Sequence, residues 1–415
     1  MKEMKTYKLG DICTIYGRIG FRGYTTEDLT DVKEEGAISL SPTNIIDGEL
    51  DLSKPTYIKW DKYYESPEIM IQSNDIVIVK TGSSIGRTTL IRTVPHPMTL
   101  NPQLVVLKNI KINPLFLSYL IKTREFQGAM QSITVGSAIP TLSQKNLASL
   151  LITIPSDSTQ LKVVNILNAL DNKILLNKRI NDNLEQQAQA LYRSWFVDFE
   201  PFCEGEFIES SLGSIPAGWK VGQLSDICEI VGGGTPSKSH PEYYCKRGIA
   251  WITPKDLSVS KSKFSSRGSE DITSDGYKNS SAKLMPRGTV LFSSRAPIGY
   301  ISIATNEICT NQGFKSAVPG IAGTGYLYYF LQANTDKIES KASGSTFKEA
   351  SGSLMKALEV IIPADGIFNQ FEAELAPILT KQENIASEIH TLTTLRDTLL
   401  PKLMSGELKI NEIDC

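Results

Sequence analysis

Two sets of short polar runs carry the side chains that bind polyanions. In the first half these are Arg18 and Arg22, then Lys80, Thr81, Ser83 and Arg87 in the run KTGSSIGR. In the second half they are Thr235, Ser237 and Lys238 after three glycines, then Lys255, Ser294, Arg295, Asn311, Gln312, Lys315, Thr346 and Lys348. Arg and Lys neutralise phosphates or fork onto guanine, Asn and Gln pair with adenine, and N–H groups of Gly-rich turns hold phosphate oxygens. The chemistry on offer is the reading of DNA. A solvated loop side chain remains the other reading of each residue taken singly.

Covalent chemistry has no comparable support. The run from Gly82 to Thr88 has three residues between its glycines where a P-loop needs four, and Arg87 where that loop has Lys. Gly232, Gly233 and Gly234 do not make a dinucleotide fingerprint. Asn101-Pro102-Gln103 lacks the second proline and the aromatic of the amino-methyltransferase motif. The three histidines are not at metal-ligand spacing, and the six cysteines contain no C-x-x-C pair, so free thiols in a reducing compartment are expected and no metal. The sequence has no apolar run of membrane-spanning length, and its start lacks a signal-peptide core; a cytoplasmic protein is expected.

The elements that position these runs come in two copies. Gly136-Ser137 matches Gly344-Ser345, Ile154-Pro155 matches Ile362-Pro363, and Leu184 matches Leu392, all offset by 208. Earlier the offset drifts: Asp11-Ile12-Cys13 matches Asp226-Ile227-Cys228 at 215, and Ile85-Gly86 matches Ile298-Gly299 at 213. Insertions have accumulated inside the globular halves and not after them.

An apolar seam follows each half. Val163, Leu167, Leu170, Ile174, Asn177, Asn181, Leu184, Ala188, Leu191 and Trp195 alternate steps of four and three, a heptad pattern. The second copy runs Phe371, Leu375, Ile378, Gln382, Ile385, Ile389, Leu392, Arg396, Leu399 and Leu403. Pro377 is expected to kink that helix or start its uninterrupted part, and Pro401 to end or bend it near Leu400. The two helices are expected to pair antiparallel, with Asn177 or Asn181 fixing register; the alternative is that each packs on its own domain. The predicted boundaries are a globular part at 1–155, a helix at 156–200, a linker and second globular part at 201–363, and a helix and tail at 364–415. The globular parts read as mixed α/β, with buried strands at 75–79 and 289–292 and helices at 114–123 and 325–333.

Charge divides along the same lines. Residues 1–155 hold 17 basic and 15 acidic side chains and 210–362 hold 17 and 12, against 5 and 9 in 156–209 and 4 and 9 in 363–415. Mildly basic globular blocks alternate with acidic helices.

The motifs together resemble a known family. GGGTPSK from 232, AWITPKDL from 250, GTVLFSSRAPIG from 288, TNQGF from 310 and GSTFKEAS from 344 resemble a target-recognition domain of the specificity subunits of type I restriction-modification systems. SPEIMIQSNDIVIVKTGSSIG from 66 and GSAIPTLSQKNL from 136 resemble a more divergent copy, and the segments from 177 and 395 resemble the family's central and distal conserved regions. The resemblance implies two similar α/β target-recognition domains separated by a long antiparallel two-helix coiled coil, with an internal pseudo-two-fold repeat. It implies a non-catalytic subunit that reads a bipartite duplex DNA target and docks two methyltransferase subunits and restriction/translocase subunits. S-adenosylmethionine, ATP and Mg would then belong to those partners and no cofactor to this chain. The unlike halves imply an asymmetric target. A coiled-coil scaffold without DNA specificity, or a self-contained methyltransferase or nuclease, are the competing readings.

Overall fold

The computed structural model describes residues 4–18, 23–135, 140–295, 297–344 and 348–408. The chain divides into two compact units, Met1–Ile174 with Leu392–Cys415, and Leu175–Thr391.

Unbroken runs of aliphatic, largely β-branched residues build the centre of the first unit's main sheet. Thr14–Gly17, Leu104–Lys108, Ile76–Val79 and Thr88–Leu90 form it in that order, each pair antiparallel. Ile76 through Val79 and Leu104 through Leu107 are all buried, because helices or a second sheet cover both faces. The second sheet runs Met98–Leu100, Gly36–Leu40, Tyr57–Lys59, Leu29–Thr30, its first pair parallel. A separate antiparallel pair joins Lys5–Lys8 to Leu151–Ile154, with Lys5 opposite Ile154.

The second unit repeats this plan. Cys228–Gly232, Lys315–Pro319, Val290–Ser294, Ile298–Ala304 and Phe264–Ser265 make its five-stranded sheet. Trp251–Ile252 pairs parallel with Cys309–Thr310, as the first unit's Gly36–Leu40 does with Met98–Leu100. Lys220–Gln223 pairs antiparallel with Glu359–Ile362, placing Lys220 opposite Ile362. The closing strands Leu151–Ile154 and Glu359–Ile362 keep the 208 offset exactly, and so do the helices Gln144–Ala148 and Gly352–Lys356. Cys13 and Cys228, offset by 215, each donate a buried thiol to the carbonyl four residues back at 3.3 Å. The helices expected at 114–123 and 325–333 are Pro114–Lys122 and Thr324–Ala333.

Both long helices are present, as Asp157–Phe196 and Ile367–Ser405. Within each unit one helix meets the other antiparallel. In the first, Asp171 accepts from Arg396 at 3.0 Å, and Val163 and Leu167 share a core with Leu403 and Met404. In the second, Asn177 donates to Glu388 at 2.9 Å, and Tyr192, Trp195 and Phe196 pack on Phe368 and Phe371. The two alternatives for the helices are therefore both realised: they pair, and the same segments complete the globular cores of Phe116 and Tyr119, and of Tyr326 and Tyr329.

Every seam position named above is buried or half-buried. Val163, Leu167, Ile174 and Ile385 are buried; Leu170, Leu184, Leu191, Ile378, Ile389, Leu392 and Leu399 are half-buried. Of the proline expectations, a helix start at Pro377 and a helix end at Pro401 need correction. Ile367–Ser405 begins ten residues before Pro377 and continues past Pro401. Both prolines, and Ala373 and Asp397 whose carbonyls lose a helical partner, are exposed, so those carbonyls are open to solvent.

Gly323 and Gly325 set one close approach. A Cβ at Gly325 would lie 2.3 Å from Leu375, and one at Gly323 would lie 2.2 Å from Glu372. The absence of those carbons lets the helix Thr324–Ala333 lie against the second long helix.

Candidate nucleic-acid interface

Loops after strands carry most of the candidate residues, and the second unit brings five of them together. Thr235, Lys238, Lys255, Asn311 and Gln312 line one depression of about 350 Å³, with Trp251 in its wall. Its floor is stitched from backbone. Gly234 N–H donates to Thr310 O at 2.9 Å, Asn311 N–H to Ile252 O at 3.0 Å, and the Trp251 indole to Gly234 O at 3.1 Å. A Cβ at Gly233 would fall 1.9 Å from Asn311 O, and one at Gly234 2.3 Å from Ala282 N. Gly233 and Gly234 are thus needed for close contact between loops.

The side-chain oxygen of Asn311 is engaged in its own turn, accepting from Gly313 N–H at 2.9 Å. Gln312 is exposed, and its Oε1 accepts from the Thr235 hydroxyl. Lys238 and Lys255 are exposed. Asp256 is satisfied in place: despite burial, which raises its pKa, hydrogen bonds from Thr253 and Ser269 hold the carboxylate below its ordinary value. Ser237 pairs with Ser239 at 2.7 Å.

A second cluster in this unit is internally neutralised. Glu349 takes Arg295 at 3.5 Å and Lys315 at 3.2 Å. Ser294 is fully buried, and its hydroxyl has no partner among the described residues, so it reads nothing outside. Lys348 is exposed; Thr346 lies outside the described residues.

In the first unit the candidates lie on the loop joining Ile76–Val79 to Thr88–Leu90. Ser83 and Arg87 are exposed and Thr81 half-buried, while burial pulls the Lys80 ammonium below its ordinary pKa. Gly82 (φ +97°) and Gly86 (φ +87°) take the left-handed conformations that turn this loop. Arg18 is a correction. It is 4% exposed, donates to Leu100 O at 2.9 Å and to the Thr99 hydroxyl at 3.2 Å, and lies over the Tyr24 ring. It ties a strand end to the second sheet and is not offered to a ligand. Arg22 lies outside the described residues.

Among the described residues no group of three or more His, Cys, Asp or Glu is assembled to hold a metal. Nor is any described helix long and apolar enough to cross a membrane.

The family model for the type I restriction modification DNA specificity domain matches residues 1–186 and again 216–401. The chain belongs to that family. It is 42% identical over 165 residues to the MjaIX type I restriction enzyme specificity subunit of Methanocaldococcus jannaschii, covering 39% of this chain and only 38% of that one. Against the HindI specificity subunit of Haemophilus influenzae it is 25% identical over 478 aligned positions, which cover 98% of this chain and all of that one. Among solved structures, the S subunit of a type I restriction-modification system from M. genitalium is similar in fold, with a TM-score of 0.62 at 14% identity over 97% of this chain and 96% of that one.

The residues that join each recognition domain to the helices escape a loop-centred reading. In the second unit of this specificity subunit, Lys263 donates to Glu185 at 2.6 Å, Tyr329 at 2.6 Å and Gln382 at 2.9 Å, and lies 4.7 Å from the centroids of both Tyr328 and Tyr329. Burial lowers the Lys263 pKa and would raise that of Glu185, but the ammonium holds the carboxylate below its ordinary value. In the first unit, Tyr119 donates to Asp171 at 2.6 Å beside Arg396. One signal was in the sequence: Gln382 and Arg396 are polar residues on otherwise apolar seams.

Proposed function

We propose that this specificity subunit reads an asymmetric bipartite duplex target, one half-site per globular part, while its two long helices fix the unspecified spacer between them. The observation that carries this reading is the uneven repeat. Closing strands and seams hold a constant offset of 208, while the loops ahead of them differ in length and side chains. A constant frame suits a distance, and divergent loops suit two different words.

The chemistry falls to partners in this reading. Two methyltransferase subunits would bring S-adenosylmethionine, and restriction/translocase subunits ATP and Mg, leaving this chain without a cofactor or a catalytic residue. Leu161, Leu175 and Leu176 are exposed and lie off the seam of the first long helix, which suits docking by protein, as the acidic charge of both helices disfavours DNA. A cytoplasmic location follows from the same reading.

Inserting four residues after Leu175, close to one helical turn, tests the spacing directly. In a complex with the methyltransferase, mapping of methylated adenines is expected to show a longer spacer between unaltered half-sites. Altered half-sites at the original spacing would overturn the ruler. A scaffold without DNA specificity would yield no methylated motif.

A further inference from the structure

Lysines withdrawn from the surface of this protein come with carboxylates. Lys62 has Glu65 at 3.0 Å, Lys108 has Asp75 at 2.9 Å, Lys263 has Glu185 at 2.6 Å and Lys315 has Glu349 at 3.2 Å. Lys122 shares a small pocket with Glu49 and Asp171. Lys80 is different. It is half-buried, and its ammonium has no hydrogen bond or ion pair among the described residues; burial acts on it with no charge to offset it. Its main chain is pinned, Lys80 N–H donating to Gln103 O and Leu142 N–H to Lys80 O, both at 2.8 Å. The strand Ile76–Val79 ends there, ahead of the turn built on Gly82 and Gly86. The second copy shows which group is missing. Thr81 bridges to Thr141 as Arg295 does to Glu349, and positions 141 and 349 are offset by 208. The first copy therefore has a threonine where the second has the carboxylate that holds Arg295 and Lys315.

We propose that the missing partner of Lys80 is a phosphate of the DNA, and that Lys80 anchors the backbone of the half-site bound by the first unit without reading a base. An exposed cation such as Arg87 is hydrated and needs no other partner. Lys80 has given up part of its hydration in the free protein, and a phosphate oxygen supplies the opposite charge on binding. Its ammonium is a point charge, which suits a phosphate, whereas Asn, Gln and the arginine fork offer paired groups that match base edges. A contact of this kind adds affinity and fixes position, and carries no sequence information. The unpaired charge is a cost to the free protein that the paired lysines do not carry. The inference rests on the reading of the first unit as a DNA-recognition domain.

Two measurements on the full chain separate this role from a structural one. Lys80→Met keeps the apolar stem and removes the unpaired charge, so the urea midpoint of the DNA-free chain is expected to rise. In complex with the methyltransferase subunits, the same variant is expected to bind every duplex about five- to tenfold more weakly, with the slope of log affinity against log salt reduced by about one and the methylated motif unchanged. Lys80→Arg keeps the charge and is expected to keep the salt slope. A lowered midpoint in Lys80→Met would show that the ammonium has its partner within the protein, and an unaltered slope that it has none in the DNA; either result overturns the proposal. A motif that loosens at one position would place Lys80 on a base edge and overturn the phosphate assignment. A wild-type complex that binds unrelated duplex as tightly as its methylated motif would instead overturn the DNA-reading function itself.

Discussion

Arg18 and Gln312 are alike as residue types, both polar, both in loops, both suited to a base edge; their surroundings separate them. Arg18 lies in the protein with its guanidinium on Leu100 O and Thr99. Arg18→Ala leaves that buried carbonyl short of a donor and is expected to cost about 1–3 kcal/mol, seen as a lower urea midpoint, with the methylated motif unchanged. A shifted motif at unchanged stability would return Arg18 to the interface. The residue types of the candidate interface were legible in the sequence, because Gly, Ser and Lys between apolar strands announce loops. Their engagement was not, since Arg18 is filled by a strand eighty residues away and Arg295 by Glu349. A second prediction concerns Glu372. It is largely buried, which raises its pKa above the ordinary 4.5 despite accepting from Gly325 N–H at 3.2 Å and Tyr326 N–H at 2.7 Å. Between the unfolded and folded values the native state keeps a proton that the unfolded chain has released, so stability falls as pH rises through that window and the cost is complete above the folded value. Glu372→Gln retains a carbonyl for both N–H groups and is expected to raise the urea midpoint at pH 7 but not at pH 4. A lower midpoint at pH 7 would show that the charge is stabilising.

At the scale of elements, the long helices were the most legible feature, because apolar steps of three and four sustained over ten positions leave few alternatives to a seam, even where Pro377 and Pro401 interrupt the second copy. Strand pairing was less so: Trp251–Ile252 and Cys309–Thr310 are only two residues each and are defined by their neighbours across the sheet. The junction at Lys263 was legible only as the polar Gln382 standing where the first copy has Ile174. Its energetics follow from its burial, with side-chain exposures of 13% for Lys263 and 25% for Glu185. Lys263→Met strands a carboxylate against the Tyr329 hydroxyl and is expected to cost about 3–5 kcal/mol, whereas Lys263→Met with Glu185→Leu recovers most of that loss. Urea unfolding of both variants reads the difference. Equal losses would mean that Lys263 contributes by packing on Tyr328 and Tyr329 instead of by pairing.

For the molecule as a whole, duplication was legible from matched motifs, and the drift of the offset pointed to where the copies differ. What could not be read there was the sharing of each core with segments from far along the chain. Leu403 and Met404 complete a core begun at Leu9 because an apolar stripe specifies that it will be covered and not by what. The closing strand pairs have a consequence for inheritance. Lys5 lies opposite Ile154 and Lys220 opposite Ile362, so the chain goes into each globular part and comes out of it side by side. A foreign segment whose two ends are equally close could stand between those strands without moving the helices that follow, provided that it brings the apolar residues that the helices cover here, as Phe116 and Tyr326 do. Recombination at these two junctions of the gene would replace a whole set of loops in one step, where point mutation would have to rebuild each loop residue by residue.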